Sequence, residues 1–157
     1  GIDFVSYRDR EEEAEAIVRD ILSLPPEIES VAVLFRTHRT GNAIKQCIDN
    51  KLRAAHFKFI TERLSSVSLI TFHASKGLEF DAVYIISANE GITPLKSAGN
   101  DEIEEERRLF YVALTRAKKY VHISDTCVLY NKKQNMSRFV RESLGLLKTM
   151  NVLRHLQ

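Results

Sequence analysis

Thr71, His73, Lys76 and Glu79 are gathered in one short stretch, TFHASKGLEF (71–80), between two apolar runs. The first three can all donate hydrogen bonds, which is what phosphate oxygens require. Glu79 repels phosphate but can accept from a ribose hydroxyl, as acidic residues do in nucleotide sites. Gly77 permits a backbone turn that a side chain would obstruct. His73 has no second His or Cys at ligand spacing, so no metal site is expected.

Two further groups could act on the same kind of ligand. In LFRTHRT (34–40), Phe35 and Arg36 close a predicted strand, where open α/β sheets place their ligands. The ring can stack on a base and the guanidinium can reach phosphate oxygens. Taken alone, the local sequence favours the plainer alternative, with Phe35 in the core and Arg36 a surface charge. In EEERRLFYVALTRAKK (104–119), Glu105, Arg108, Leu109, Val112 and Arg116 fall near one helical stripe. Ile103, Phe110, Leu114 and Ala117 mark an adjacent apolar one. Glu104 and Arg108 form an expected i,i+4 pair. Arg116, near the helix end, could stabilise charge on a transferring phosphoryl group.

These groups need a scaffold, and the hydrophobic pattern supplies one. Strands are expected at Asp3–Tyr7, Val31–Arg36, Val67–Thr71, Ala82–Ile86 and Tyr120–Ser124, with a weak one at Phe57–Ile60. Helices are expected at Asp9–Leu24, from after Thr40 to about Arg53, at Glu102–Lys119 and at Ser137–Leu144. Gly91–Asn100 reads as an exposed loop. Strands alternating with helices imply an α/β fold, a mostly parallel sheet with helices on both faces. The 157 residues suffice for a single domain. The formal charge of +2 argues against a broadly basic nucleic-acid binder, so any such contact must be local. Two distant cysteines, Cys47 and Cys127, and the lack of a signal pattern or an apolar run of membrane length lead us to expect a cytoplasmic protein with free thiols.

With the three groups in this order, the chain resembles the C-terminal RecA-like domain of superfamily 1 helicases of the UvrD/Rep/PcrA-like group. VAVLFR (31–36) is similar to the family's motif IV, TFHASKGLEFDAVYI (71–85) to motif V, and EEERRLFYVALTRAKK to motif VI. SRFVRESL (137–144) looks like the stretch that closes that domain. The resemblance covers roughly residues 3–145, which we take as the domain, with 146–157 a tail. It implies an ATP-dependent DNA helicase or translocase in the full-length protein. Phe35 then matches the aromatic that stacks on adenine. Arg36 and Arg116 match the two arginines that approach the γ-phosphate, and Glu79 the acidic residue near the ribose, with Gly77 beside it. Thr71, His73 and Lys76 fall where motif V lies near single-stranded DNA.

Two departures qualify what the resemblance implies. The chain has no GxxxxGK[ST] phosphate loop and no apolar strand ending in Asp-Glu to hold Mg²⁺. In the family those belong to the N-terminal RecA-like domain, so ATP with Mg²⁺ is expected to be shared with that domain and this fragment alone to be inactive. Motifs IV and V also stand close together, where UvrD-type enzymes carry a large helical insertion. That spacing admits the alternative of a helicase-like ATPase that remodels a protein complex such as RNA polymerase, with repair proteins as other candidate partners.

Overall fold

The structure, a computed structural model, describes residues 1–145; the expected tail falls outside the described residues. Five strands, β1 (Ile2–Tyr7), β2 (Val31–Phe35), β3 (Ser68–Thr71), β4 (Phe80–Ile85) and β5 (Ala117–Thr126), form one sheet in the order β1-β5-β4-β2-β3. All of their pairings are parallel. Helices α1 (Arg10–Leu22), α2 (Asn42–Ala54) and α3 (Lys58–Ser65) cover one face. Helix α4 (Asn100–Leu114) and a last helix over 138–145, α5, cover the other. A small antiparallel hairpin, β6 (Val128–Leu129) and β7 (Lys132–Lys133), follows β5. No helix among the described residues is long and apolar enough to cross a membrane.

Alternation along each strand sorts the core into two layers. Val31, Val33 and Phe35 of β2 face α1–α3, together with Ala82 and Tyr84 of β4. Ala32 and Leu34 face α4 and α5, together with Val83 and Ile85. Charges are confined to the strand ends. Glu13 of α1 is buried at the far end of β4 and β5, accepting from the Ser87 N–H (3.0 Å), the Ser87 hydroxyl (3.1 Å) and the Ser124 hydroxyl (2.6 Å). Burial still pushes its carboxyl above the ordinary range. Asp81, near the start of β4, accepts the N–H of Glu29 (2.8 Å) and of Ser30 (3.4 Å), with Lys118 and Lys119 at 3.7 and 3.9 Å. The bond from Glu29 does most to hold that carboxyl below its usual range.

Several expectations from the sequence need correction. The weak strand at Phe57–Ile60 is the start of α3: Ile60 and Leu64, one turn apart, pack inward, while Phe57 and Phe59 stay exposed. The apolar alternation at 57 and 59 therefore marked a surface, not a buried strand. The motif VI helix ends at Leu114 rather than Lys119. Thr115 caps it with its hydroxyl on the Val112 carbonyl (2.8 Å), and Ala117–Lys119 have already joined β5. The basic residues thus lie beyond the helix, and its dipole is matched by acidic residues at the start alone. Of the loop expected over 91–100, residues 91–99 are irregular and Asn100 opens α4, yet Thr93 and Pro94 are buried, and the Ser137 hydroxyl donates to the Thr93 carbonyl. On α4, Arg107 pairs with Glu104 and Arg108 with Glu105 at i,i+3, in place of the expected Glu104–Arg108 pair.

His122 is buried among tyrosines on the α1 face. Its Nε2 lies 3.3 Å from the Tyr7 hydroxyl and its Nδ1 3.3 Å from the Tyr120 hydroxyl, which itself donates to Asp3 at 2.8 Å. A neutral ring protonated on Nδ1 satisfies all three bonds, with Tyr7 donating to Nε2. Burial pulls the imidazole below its ordinary value, against the opposing pull of Asp20 and Asp3. The unfolded chain therefore binds the proton more tightly, and the stability held above about pH 6.5 is lost as the pH falls below it. Because buried Glu13, held above its ordinary range, pulls the other way, we expect the His122 contribution to show as a difference. Between pH 7 and pH 5 the thermal midpoint of the wild type should fall relative to that of His122→Phe, and equal slopes would exclude His122 as a cause.

Candidate nucleotide and nucleic-acid site

Strand β2 delivers Phe35 and Arg36 to opposite sides of the sheet. The Phe35 ring turns into the α1–α2 layer, is 4% exposed, and meets His38 edge-on at 6.3 Å. It therefore occupies the core position, not an open stacking face: its parity along β2 points it inward with Val31 and Val33. Gly41 lies directly over it, and a Cβ there would stand 2.5 Å from the ring. Gly41→Ala is accordingly expected to cost about 1–3 kcal/mol by overpacking, read as a lowered denaturant midpoint at unchanged slope.

Arg36 turns to the other face and reaches α4. Its Nε donates to both carboxylate oxygens of Glu106 (2.9 and 3.2 Å) and its Nη2 to Oε1 (2.7 Å). The side chains are 14% and 8% exposed. Glu106 was not among the residues singled out from the sequence. The signal was present: Ile103, Glu106, Phe110 and Ala113 share one 3-4-3 stripe, so a carboxylate sat in an apolar row.

The 72–79 loop is drawn tight by its own backbone. The Phe72 N–H donates to the Phe35 carbonyl at 2.9 Å, and the Phe72 ring is fully buried near Phe110. The Thr71 hydroxyl accepts the Ala74 N–H at 3.2 Å and is itself buried. The buried Ser75 hydroxyl donates to the Phe72 carbonyl at 2.6 Å. Gly77 has φ +78° with open space where a Cβ would go, so glycine is required here by the backbone angle and not by crowding. The side chains of His73, Lys76 and Glu79 are left exposed. Of the three residues expected near DNA, His73 and Lys76 are thus accessible, whereas Thr71 shapes the turn that carries them.

Arg116 closes this loop from the α4 side. Its Nη1 donates to the Leu78 carbonyl (3.2 Å), its Nε to the Val112 carbonyl (3.1 Å) and its Nη2 to the Thr115 hydroxyl (3.2 Å). The Arg116 carbonyl in turn accepts the Phe80 N–H at 2.8 Å. Every partner is a neutral oxygen, and no carboxylate among the described residues stands within ion-pair distance. Glu79, the next residue after Leu78, likewise makes no hydrogen bond with the described residues. The structure therefore ties Arg116 to Leu78, between Gly77 and Glu79, and ties Arg36 to the middle of α4, the helix that Arg116 follows. About 12 Å of helix separates Glu106 from Leu114, where α4 ends two residues before Arg116, at 1.5 Å per residue. Among the described residues no group of three or more His, Cys, Asp or Glu could hold a metal ion.

A parallel sheet bearing these motif residues at strand ends and on one helix defines a class, and comparison with known proteins names it. Residues 49–127 match the UvrD-like helicase C-terminal domain family, half of the chain, and the chain belongs to that family. It is 54% identical over 70 residues to the ATP-dependent DNA helicase Rep of Buchnera aphidicola from Schizaphis graminum, covering 43% of this chain and 11% of that protein. It is 47% identical over 91 residues to PcrA of Leuconostoc citreum, covering 54% of this chain and 12% of that protein. Against Rep of Escherichia coli K12 the identity is 44% over 81 residues, 51% of this chain and 11% of that one. The matched stretch is therefore about a tenth of the length of these relatives. In fold, the chain is similar to the crystal structure of the C-terminal domain of a possible DNA helicase from Lactobacillus plantarum, with TM-score 0.61, 18% identity, and 87% of this chain and 76% of that one covered.

The Arg36–Glu106 pair also holds the end of β2 to α4. Removing one partner of a buried pair leaves the other charge uncompensated, at about 3–5 kcal/mol. Glu106→Ala is expected to lose stability on that scale in denaturant titrations; a loss under about 1 kcal/mol would show that water replaces the carboxylate freely.

Proposed function

We propose that this chain is the second motor domain of an ATP-dependent DNA helicase or translocase. In that reading it supplies Arg36 and Arg116 to an ATP site whose phosphate loop and Mg²⁺ ligands lie on an N-terminal RecA-like domain. The observation that carries the proposal is Arg116: an arginine with no ion-pair partner among the described residues, parked on the neutral oxygens of Leu78, Val112 and Thr115. Such a group gains far more from a phosphate than from a carbonyl. Bound ATP supplies a γ-phosphoryl group on which negative charge develops in transfer, and arginines aimed at it contribute on the order of three to five decades in rate. Glu79 accepts from the ribose. His73 and Lys76 face the single-stranded DNA backbone, on the loop whose Leu78 carbonyl Arg116 holds. Phe35 joins the base contact only if its ring leaves the core.

The residues present fit a half-site. Arg116 holds the Leu78 carbonyl of a turn whose Gly77, Leu78 and Glu79 are exposed, a surface that a second domain could close into a pocket. Arg116→Ala in the full-length protein is expected to lower DNA-stimulated ATPase by about a thousandfold or more, with this domain alone silent. Activity within about twofold of wild type would remove Arg116 from the chemistry.

A second reading, a helicase-like ATPase that remodels a protein complex such as RNA polymerase, is favoured by one observation. Phe57 and Phe59, 63% and 59% exposed with centroids 6.0 Å apart, stand at the short α2–α3 connection between clefts of about 410 and 360 Å³. ATPase indifferent to single-stranded DNA would move the assignment to this reading.

A further inference from the structure

The buried residues of α4 are Glu106, Leu109, Phe110 and Ala113, so a carboxylate occupies a position that an apolar side chain would fill at less cost. Its geometry toward Arg36 is specific. The carboxylate takes the side edge of the guanidinium, Nε and Nη2, while Nη1 makes no hydrogen bond with the described residues. An arginine carries five N–H groups in a rigid fork. Two point at Glu106, and about three remain, on the Nη1–Nη2 edge that suits a second anion.

We propose that Glu106 is a positioning residue for Arg36: it grips the side edge of the guanidinium and thereby presents the end edge to the γ-phosphate. This rests on the reading that Arg36 belongs to the nucleotide site. The opposite arrangement, in which Glu106 is a decoy that ATP must displace, makes opposite predictions. A positioning carboxylate stays bound while phosphate arrives at the other edge; a decoy lets go. Holding the planar group in one orientation before the reaction lowers the barrier without tightening the ground state, so the effect falls on kcat more than on KM.

The test uses full-length protein. Glu106→Gln keeps the shape but sets an amide N–H₂ against one of the guanidinium donors, most directly Nε, and breaks the fork. It is expected to lower the kcat of DNA-stimulated ATPase by about 10–100-fold, with KM for ATP changed by less than about threefold. In an Arg36→Ala background the same substitution is expected to add less than about twofold, because its effect passes through Arg36. Glu106→Asp, which keeps the charge, is expected to retain more activity than Glu106→Gln, and serves in its place should that variant fail to fold. Independently of turnover, ¹⁵N-arginine-labelled protein is expected to show an exchange-protected Arg36 Nε–H signal. That signal disappears in Glu106→Gln and survives addition of a non-hydrolysable ATP analogue.

Multiplicative losses in the double variant, unchanged or faster kcat in Glu106→Gln, or loss of the protected signal when the analogue binds would each overturn the proposal. In those cases a large loss in Arg36→Ala alone leaves the assignment of Arg36 standing. A neutral Arg36→Ala removes both.

Discussion

Burial of β2 and β4 on both faces is the constraint from which the rest of the molecule follows. Their residues are closed off by α1–α3 on one side and by α4 and α5 on the other. A charge within them could reach neither water nor a partner. Charged groups are therefore displaced to the strand ends, where backbone N–H groups, serines and helix termini can meet them. Glu13, Asp81 and Arg36 each sit at such a point. The candidate site collects where the sheet stops, because between the helix layers β2 and β4 leave room for apolar side chains and for few charges.

Helix α4 turns that constraint into a site. One face is core, through Leu109, Phe110 and Ala113, and a single acidic residue on that face holds Arg36. Its last turn ends in Thr115, and Arg116 folds back on the helix to catch the Leu78 carbonyl. Arg107 binds α5 through Glu142 at 3.0 and 3.1 Å and covers the Phe139 ring at 5.5 Å. The helix is thus held at both its middle and its end, as the proposed action of two arginines on one ligand would require.

Much of this was legible in the sequence, for physical reasons. Parallel strands buried on both faces read as continuous apolar runs, so VAVLF and AVYII declared themselves. The motif residues lay at the ends of those runs. What was not legible depended on tertiary choice. Phe35 and Arg36 are neighbours: the local sequence already favoured a core position for Phe35, but that Arg36 turns to Glu106 of α4 and not to solvent is a tertiary choice no local window carries. The aromatic pair at 57 and 59 mimicked a strand because alternation is blind to whether a residue is buried. The motif VI helix was overextended because Ala117, Lys118 and Lys119 have no strong propensity against a helix, and pairing of β5 with β4, Ala117 opposite Phe80, decided their state. Glu106 was hidden in a run of three glutamates, of which one faces the core.

The bond from Arg116 to the Leu78 carbonyl has a consequence for energy transfer under the proposed reading. That carbonyl belongs to the loop that carries His73 and Lys76, so one hydrogen bond is common property of two binding events. If phosphate draws the guanidinium away, the loop loses a tether; if a polynucleotide reshapes the loop, the guanidinium is set free. Thermodynamics makes the two equal: whatever the nucleotide does to affinity for the strand, the strand must do to affinity for the nucleotide, by the same factor.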